Sequence, residues 1–234
     1  TADVGALVAS TQSISIQDFL AGTYRFERNG STGAVINEGT LRAQLGGYIA
    51  LLAPEVRNSG IVIAQAGAVV LAAGETITLQ ATDSGLAGVA VEPSLFKALV
   101  ENRHLVLAPG GLVVLSARAA DRLLGGIVKN SGTIEATGLA IKGGRIVLEA
   151  SDRIETSGTI DASATGSGDG GSILVRADLD NSQSTALISG TLRATGGASG
   201  GNGGDIETSA SHLNVARGTK VDTTAPGGRA GTWL

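Results

Sequence analysis

Cysteine and methionine are absent from the 234-residue sequence, and aromatic residues make up only 3% of it. Without cysteine the chain has no disulfide framework, and no thiol is available as a metal ligand or a nucleophile. Histidine occurs only at His104 and His212, in unrelated repeat positions, which argues against a zinc site or a histidine-based triad. The missing initial methionine leads us to expect an internal fragment of a longer polypeptide. Neither a signal peptide nor an apolar run of membrane-spanning length is present.

Charge is also sparse. Charged residues make up 16% of the sequence, the net charge is −4, and the basic residues are scattered. A nucleic-acid partner would need a basic face, so the sequence predicts no nucleic-acid binding. Hydrophobic residues make up 42% of the chain, which is too much for a disordered polypeptide and must be buried. Because small apolar residues supply nearly all of this fraction, we expect a narrow interior.

What the sequence does contain is glycine, 36 residues of it, and much of this glycine marks an internal repeat. Each copy begins with glycine, has an apolar residue two positions later and alanine six positions later, and all but the last have a second apolar residue four positions later, where the last has Thr208. The copies begin at Gly47, Gly67, Gly111, Gly144, Gly171 and Gly204. The alternation predicts strands, and spacings from 20 (67 − 47) to 33 (204 − 171) are typical of a solenoid.

These repeats predict an all-β chain folded as a right-handed parallel β-helix, with short external helices. Two inward columns are expected, one of larger apolar residues and one of alanine. The first column is Ile49, Val69, Val113, Ile146 and Ile173, and the second is Ala53, Ala73, Ala117, Ala150 and Ala177. The gap of 44 residues between Gly67 and Gly111 (111 − 67) suggests one extra coil, with its strand at Thr76–Gln80.

Asparagine and helix signals add detail to this stack. A second repeated phrase, Gly-Thr-apolar-x-Ala with looser copies, starts at residues 39, 60, 104 and 132. Asparagine falls two residues before it in these four copies, at Asn37, Asn58, Asn102 and Asn130. We predict a ladder of bonded amides there, the alternative being that asparagine merely tolerates a turn. Helical insertions are expected near 94–100, after Pro93, and near 117–124, before a pair of glycines.

A resemblance to a known family comes from several segments. Gly5–Thr11 followed by Asp18–Gly22 is the most specific block, and Gly46–Gly60, Ala117–Asp121, Asn130–Ala136 and Gly231–Leu234 are similar too. The sequence resembles filamentous-haemagglutinin-like exoproteins of two-partner secretion. We therefore interpret residues 1–33 as the end of a secretion-type domain or a first irregular coil, and residues 34–234 as β-helix repeats.

The resemblance implies a secreted or surface-displayed bacterial protein, exported through the periplasm by an outer-membrane β-barrel transporter. Many members of the family act as adhesins, so an adhesin stalk is the expected role. The Asn-Pro-Asn-Gly secretion motif of the family is absent from this sequence. This chain alone is therefore not expected to be exported by the transporter.

Chemistry-bearing residues are few, and no cofactor or metal is predicted. Glu135 and Asp161 occupy the same position of successive repeats, followed by Arg193, but such a stack is more typical of a solvated strand face than of a catalytic site. The single Gly200–Asp205 phrase resembles a calcium repeat that requires tandem copies. We predict a monomer that is not an enzyme, with two alternatives: a glycan- or receptor-binding module, and a polysaccharide-degrading enzyme on a β-helix.

One strand of the repeat departs from the expected alternation of apolar and polar residues. Between its inward positions stand Ala50 and four larger apolar residues, and polarity returns only at Glu207. The four define a candidate interaction stripe of Val70, Val114, Val147 and Leu174. A strand that is apolar on both faces is usually covered on both faces. We expect the chain itself to cover the stripe, through the helical insertions or through the stretch Phe19–Gly33, and the alternative is a partner surface.

Overall fold

Parallel strands stacked in coils form the body of the protein. The computed structural model describes residues 1–83, 85–120, 125–138 and 143–234. Strands are numbered along the chain, and in the described residues three parallel sheets run along the stack, with eight, eight and seven strands. Each complete coil contributes one strand to sheet 1, then one to sheet 2, then one to sheet 3. The predicted all-β parallel β-helix is confirmed.

The bounds of the strands are as follows. Sheet 1 contains β1 (Ala2–Val4), β6 (Thr40–Ala43), β9 (Ile61–Ala64), β14 (Leu105–Leu107), β17 (Thr133–Glu135), β20 (Thr159–Asp161), β23 (Thr191–Arg193) and β26 (Lys220–Asp222). Sheet 2 contains β2 (Leu7–Ser10), β7 (Tyr48–Leu52), β10 (Ala68–Ala73), β15 (Leu112–Ala117), β18 (Arg145–Ala150), β21 (Ser172–Ala177), β24 (Asp205–Ser209) and β27 (Thr232–Trp233). Sheet 3 contains β5 (Ala34–Asn37), β8 (Glu55–Asn58), β13 (Ala98–Asn102), β16 (Gly126–Asn130), β19 (Arg153–Thr156), β22 (Thr185–Ile188) and β25 (His212–Val215).

A fourth, antiparallel sheet lies outside the coils and is called the cover sheet here. Its order is β12-β11-β4-β3. The strands are β3 (Ser13–Ile14), β4 (Tyr24–Glu27), β11 (Thr76–Thr82) and β12 (Gly85–Glu92). They come from two insertions that leave the coil after sheet 2, one after β2 and one after β10, and meet through the pairing of β4 with β11. The first insertion also carries the short external helix α1 (Ile16–Leu20).

The lumen is filled by columns of identical or similar side chains. Val69 lies between Ile49 and Val113, and Ile146 between Val113 and Ile173. All five are at most 2% exposed, and the alanine column is buried beside them. Stacking in this way lets each coil bury apolar surface that it could not bury alone. Both predicted inward columns are therefore confirmed.

Glycine at the start of each sheet 2 strand permits the coils to approach one another. A Cβ atom on Gly67 would lie 1.8 Å from the carbonyl oxygen of Gly47, and one on Gly111 would lie 2.1 Å from that of Gly67. No side chain can be accommodated at such a distance without separating the coils. The glycine periodicity of the sequence therefore reflects close backbone contact at one corner of the stack.

The asparagine ladder is present at the end of the sheet 3 strands. The Asn37 Nδ2 atom donates to Asn58 Oδ1, Asn58 Nδ2 to Asn102 Oδ1, and Asn102 Nδ2 to Asn130 Oδ1, each over 2.8 Å. Asn58 and Asn102 are fully buried. Each buried amide thus finds its partners in the neighbouring coils, and the predicted ladder is confirmed.

The predicted helical insertion at 94–100 is wrong. Residues 98–102 form strand β13, and the Val100 side chain is completely buried in the lumen in line with Val56 and Val128. The apolar spacing of Leu95, Ala98 and Leu99 imitates a helical face, but the burial of Val100 between two coils favours the strand. Only Ser94 and its neighbours form a short connection, which bridges to Ala119.

Two further expectations need correction. In the other predicted insertion, Ala117 ends β15 and Ala119 pairs with Ser94, so these residues are not helical, and residues 121–124 lie outside the described residues. Thr76–Gln80 belongs to the antiparallel cover sheet rather than to an extra coil.

The stack itself begins before residue 34, because β1 already pairs with β6 and β2 with β7. Among the described residues, no helix is both long and apolar enough to cross a bilayer.

The substitution Ile146→Ala tests the lumen packing. We expect it to lower the free energy of unfolding by about 2–4 kcal/mol, because the transfer free energy of the side chain is lost and a cavity remains. Urea denaturation followed by circular dichroism measures the change. Ile36→Ala is the matched control, since Ile36 is 55% exposed on the outside of sheet 3, and its effect should stay within about 0.5 kcal/mol. Equal effects of the two substitutions would contradict the packing described here.

Candidate functional site

The candidate interaction stripe lies on the outer face of sheet 2. Val70, Val114, Val147 and Leu174 align in one row across four coils, and Glu207 follows in the next. Val70 is fully buried, Val114 and Val147 are each 7% exposed, and Leu174 is half-buried. The row is therefore covered at one end and progressively opens toward the other.

The cover sheet provides this burial. Phe26, Ile77, Leu79 and Leu86 pack with the outward side chains of sheet 2 in a second apolar cluster, separate from the lumen. Phe26 belongs to the stretch Phe19–Gly33 that the sequence suggested as a cover. No described residue of the segments 94–100 and 117–120 belongs to this cluster, and the larger part of the cover is the β11–β12 hairpin. The cover sheet, which is part of the same chain, thus packs on most of the stripe.

The hairpin carries a sequence pattern that could have identified it. Thr76–Gln80 and Gly88–Glu92 both alternate, and Asp83 and Gly85 between them are turn residues. Two alternating runs joined by such a turn are typical of a β-hairpin. The repeat spacing had suggested a coil strand at the same place, and a coil strand would have needed a parallel partner on each side.

A buried arginine joins the two insertions to the coil. The Arg28 guanidinium donates from Nε to the Ser31 carbonyl oxygen over 2.6 Å and from one terminal nitrogen to Ser94 Oγ over 2.7 Å. It also lies 3.8 Å from a Glu75 carboxylate oxygen and stacks 4.3 Å from the centre of the Phe96 ring. The side chain is only 5% exposed. Arg28 therefore fixes the first insertion to both ends of the second, and no sequence pattern had indicated this role.

Charges on the outside of sheet 3 are paired, both within one coil and between neighbouring coils. Lys129 lies 3.3 Å from Glu155, and Arg153 lies 2.6 Å from the same carboxylate. Farther along the face, Arg103 lies 2.9 Å from Glu101. Surface pairs of this kind contribute little to stability individually. Among the described residues, each of these cations nevertheless lies beside a carboxylate.

The carboxylate stack lies on the outer face of sheet 1. Glu135 is directly beside Asp161, Asp161 beside Arg193, and Arg193 beside Asp222. Partial burial raises the pKa of the Glu135 carboxyl, and the Asp161 carboxylate raises it further. Hydrogen bonds from the Thr224 side chain and backbone lower the pKa of the Asp222 carboxyl, and Arg193 lowers it further. The row is an exposed strand face with opposite charges in sequence, and this geometry holds no enclosed reaction site.

This row predicts a pH-dependent effect. Because the pKa of Glu135 is raised in the folded chain, its contribution favours folding at low pH and is lost as the pH rises through that raised pKa. Glu135→Gln should therefore raise the melting temperature slightly at pH 7 and leave it unchanged near pH 3. Asp222→Asn is the contrasting variant: the lowered pKa of Asp222 stabilises the folded chain at neutral pH, so this substitution should lower the melting temperature at pH 7. Thermal melts at both pH values measure the effects, and a Glu135→Gln change that is the same at both would count against the assignment.

Two open grooves lie on the outer face of sheet 2, and the first of them also borders the cover sheet. One, of about 310 Å³, is lined by Leu86, Ala87, Leu112 and Arg145 together with glycines of the corner. The other, of about 350 Å³, is lined by Arg118, Glu149, Arg176, Asp178 and Asp180 with Ala150 and Leu179. Within the described ranges, no group of three or more histidine, aspartate or glutamate side chains is arranged to hold a metal ion. The grooves can therefore offer polar and apolar contacts to a partner.

Comparison with known proteins decides the family. The model of the TPS secretion domain, the secretion domain of two-partner secretion, matches residues 1–162. The chain belongs to this family. The match includes α1, the cover sheet and the coils up to β20, and it extends beyond residue 33, where the sequence suggested that the secretion-type segment ends.

Two relatives are informative. The heme/hemopexin-binding protein of Haemophilus influenzae is 36% identical over 87 residues, which are 37% of this chain and 9% of that protein. The crystal structure of the HMW1 secretion domain from Haemophilus influenzae superposes with a TM-score of 0.57 at 20% identity, covering 98% of this chain and 75% of that one. The chain thus spans about a tenth of the length of the curated relative, and the second likeness supports the fold alone.

Membership in the TPS secretion domain family establishes the general role. The chain is part of a secreted β-helical exoprotein of two-partner secretion that is exported through the periplasm. The family implies a transporter in the outer membrane as its partner. The family is one of secretion domains.

Proposed function

We propose that this chain is a non-catalytic secretion and spacer module, a monomer that connects the transporter-recognition end of a large exoprotein to a stalk displayed at the bacterial surface. One observation supports the proposal above the others: the isoleucine column of the lumen continues past the family match. Ile146 lies beside Ile173 across residue 162, and Ile173 lies beside Ile206 beyond it. The same stack can therefore serve export at one end and act as a spacer at the other.

The stalk is proposed to carry an adhesin, with the binding region distal to this chain. A β-helix gains length in steps of about 4.8 Å per coil, the distance between neighbouring strands. Such a rod holds a distal region away from the cell surface without needing a ligand site of its own. The tight column packing and paired surface charges described above suit this role.

The experiment uses the full-length exoprotein in cells that make its transporter. Removing residues 1–162 should leave the protein in the periplasm, because the matched secretion domain is gone. Removing residues 172–204 is the matched control. This deletion takes out one coil and joins Gly171 to Asp205, so the Gly-x-Ile phrase is kept. Immunoblots of periplasm and medium should show the control protein exported at the normal level.

Several outcomes would contradict the proposal. Normal export without residues 1–162 would remove the secretion role, and loss of adhesion on deleting one coil would show that residues 172–204 do more than act as a spacer. This chain by itself, placed behind a periplasmic signal sequence, is expected to stay in the periplasm because it lacks the Asn-Pro-Asn-Gly motif. Its export would show that the motif is dispensable.

A direct glycan- or receptor-binding role is the second candidate. It is favoured by the groove where Arg118 and Arg176 stand beside Asp178 and Asp180, since charged side chains can bind sugar hydroxyls and polar partners. A glycan array probed with this chain separates the two roles, because a spacer should bind nothing above background. A reducing-sugar assay tests the third possibility of a polysaccharide-degrading enzyme, for which we expect no activity.

A further inference from the structure

The cover sheet ends in an open edge. In the order β12-β11-β4-β3, strand β12 is the outermost, and among the residues that the structure describes no strand pairs with its outer side. An edge strand presents a row of unpaired N–H and C=O groups, which can pair with another extended chain. The outer side of β12 therefore has the hydrogen-bonding groups needed to accept a strand.

Proteins normally protect such edges with charge, proline or a bulge. Strand β12 has a bulge at Ala87, because Ala81 pairs with Leu86 whereas Gln80 pairs with Gly88. Beyond the bulge, the residues 88–91 are Gly, Val, Ala and Val, without charge or proline. Four residues of the edge thus remain unprotected, between the bulge and Glu92.

The position of β12 above the coils shows where an added strand would lie. Leu86 lines a groove with Gly67 and Gly111 at the start of sheet 2, whereas Val91 lies against Gly74 beyond the end of β10. Strand β12 therefore runs along sheet 2 and packs on β10 and β15. Neighbouring strands are about 4.8 Å apart both in the cover sheet and between coils. Because β12 lies between β10 and β15, the next strand in the cover sheet would lie over β15 and β18.

The outer face of β18 forms a floor that an extended chain can contact. Its outward residues are Arg145, Val147 and Glu149, which places an apolar centre between two charged ends. Half-buried Leu112 and Leu174 flank Val147 on the neighbouring strands. Val147 itself is only 7% exposed, so the apolar surface that stays open beside it is that of Leu112 and Leu174.

Charge distinguishes the two ends of this floor. At one end the groove contains Arg145, which is exposed and makes no ion pair within the described part of the chain. At the other end Arg118 and Arg176 face Glu149, Asp178 and Asp180, and Arg176 is held by Glu149 at 2.8 Å. The second end has two cations and three carboxylates, a net charge of −1. A bound strand would thus be favoured with an acidic residue near Arg145 and a basic residue near Asp178 and Asp180.

We propose that the outer edge of β12 binds an extended strand of another polypeptide, with apolar side chains at alternate positions and opposite charges at its ends, and that this strand completes the cover over β18. Backbone pairing with residues 88–91 supplies the affinity that such edges provide. Contact with the half-buried Leu112 and Leu174 selects the apolar side chains. The inference goes beyond the secretion and spacer role and does not depend on it.

The test uses a synthetic peptide in which valine and threonine alternate, with glutamate at one end and lysine at the other. We expect saturable binding to this chain in fluorescence anisotropy. The same peptide with its alternate amides N-methylated should not bind, because it cannot pair with the edge. Peptides with the two charged ends exchanged should differ in affinity and so give the direction of the strand.

Variants of the protein test the floor. Leu174→Glu should weaken binding about tenfold, since roughly 1.4 kcal/mol of apolar contact is lost. Leu112→Glu should also weaken binding. Because the two substitutions lie on different strands, the same effect in both is not explained by a folding defect in one of them. Leu187→Glu is the matched control, because Leu187 is 36% exposed on sheet 3, away from the cover, and binding should be unchanged. Circular dichroism melts establish that each variant is folded.

Three results would overturn the proposal. Equal binding of the methylated peptide would mean adsorption through side chains, and unchanged binding by both Leu174→Glu and Leu112→Glu would remove the floor. Self-association of the chain in sedimentation velocity, without peptide binding, would assign the edge to a second copy instead. Because the probe is synthetic, none of these results bears on export, so failure here and failure of the secretion role are distinguishable.

Discussion

Val114→Asp is expected to lower the free energy of unfolding by about 3–5 kcal/mol, because it places an unpaired charge in an apolar contact. Val114 is 7% exposed and packs in the cluster formed with Phe26, Ile77 and Leu86. The carboxylate would find no cation there among the residues of that cluster. Chemical denaturation at pH 7 measures the loss, and the melting temperature should fall with it.

This substitution also distinguishes the two interpretations of the stripe. If the stripe were an open binding surface, Val114→Asp would abolish binding and leave the melting temperature almost unchanged. Leu187→Asp, at an exposed leucine of sheet 3, is the matched control and should change stability by no more than about 0.5 kcal/mol. Equal stability of wild type and Val114→Asp would show that the cover sheet does not bury this row.

Asn102→Ala is expected to cost about 2–4 kcal/mol. The side chain is fully buried and both donates to Asn130 and accepts from Asn58 over 2.8 Å. Its removal deprives two buried amides of partners, and each unsatisfied group costs about 1–3 kcal/mol. Urea unfolding provides the measurement.

Asn37→Ala is the control at the end of the ladder. Asn37 makes only one bond within the ladder, to Asn58, and the Asn58 Oδ1 atom also accepts from the Gly60 backbone N–H over 3.3 Å. The expected cost is therefore only about 1 kcal/mol. If the terminal substitution cost as much as the central one, the ladder would not act as a chain of linked amides.

The lumen and the ladder could be predicted because they depend on one repeating environment. Each inward position meets the same position of the coil above and below, so a correct alignment of Gly67 and Gly111 also aligns Val69 with Val113 and Leu71 with Leu115. Asparagine at a fixed offset indicates the ladder for the same reason. The repeat therefore predicts the inward columns and the ladder wherever the coil is regular.

The sequence indicated that sheet 2 is covered, but it did not indicate which segment provides the cover or how that segment folds. The apolar outward residues Val70 and Val114 showed that something lies over sheet 2. Which segment does so depends on contacts between β4 and β11, which are about 50 residues apart in the chain and have no repeat to align them.

The error at 94–100 has a related origin, since the spacing of Leu95 and Leu99 fits a helix locally and only the burial of Val100 between coils reveals a strand. Arg28 was missed because a single buried arginine leaves no pattern.

The pairing of β4 with β11 has a consequence for how the chain opens. In a plain solenoid each coil contacts only its neighbours, so coils can be lost from an end one at a time. Here the insertion that contains β4 leaves the coil after β2, the insertion that contains β11 leaves it after β10, and the two strands pair. Arg28 in the first insertion also binds Ser94, which lies just before β13. The coils between these strands are therefore tied into one cooperative unit. Amide hydrogen exchange should show uniformly slow protection from β7 to β15, and protection that declines coil by coil from β18 toward β25.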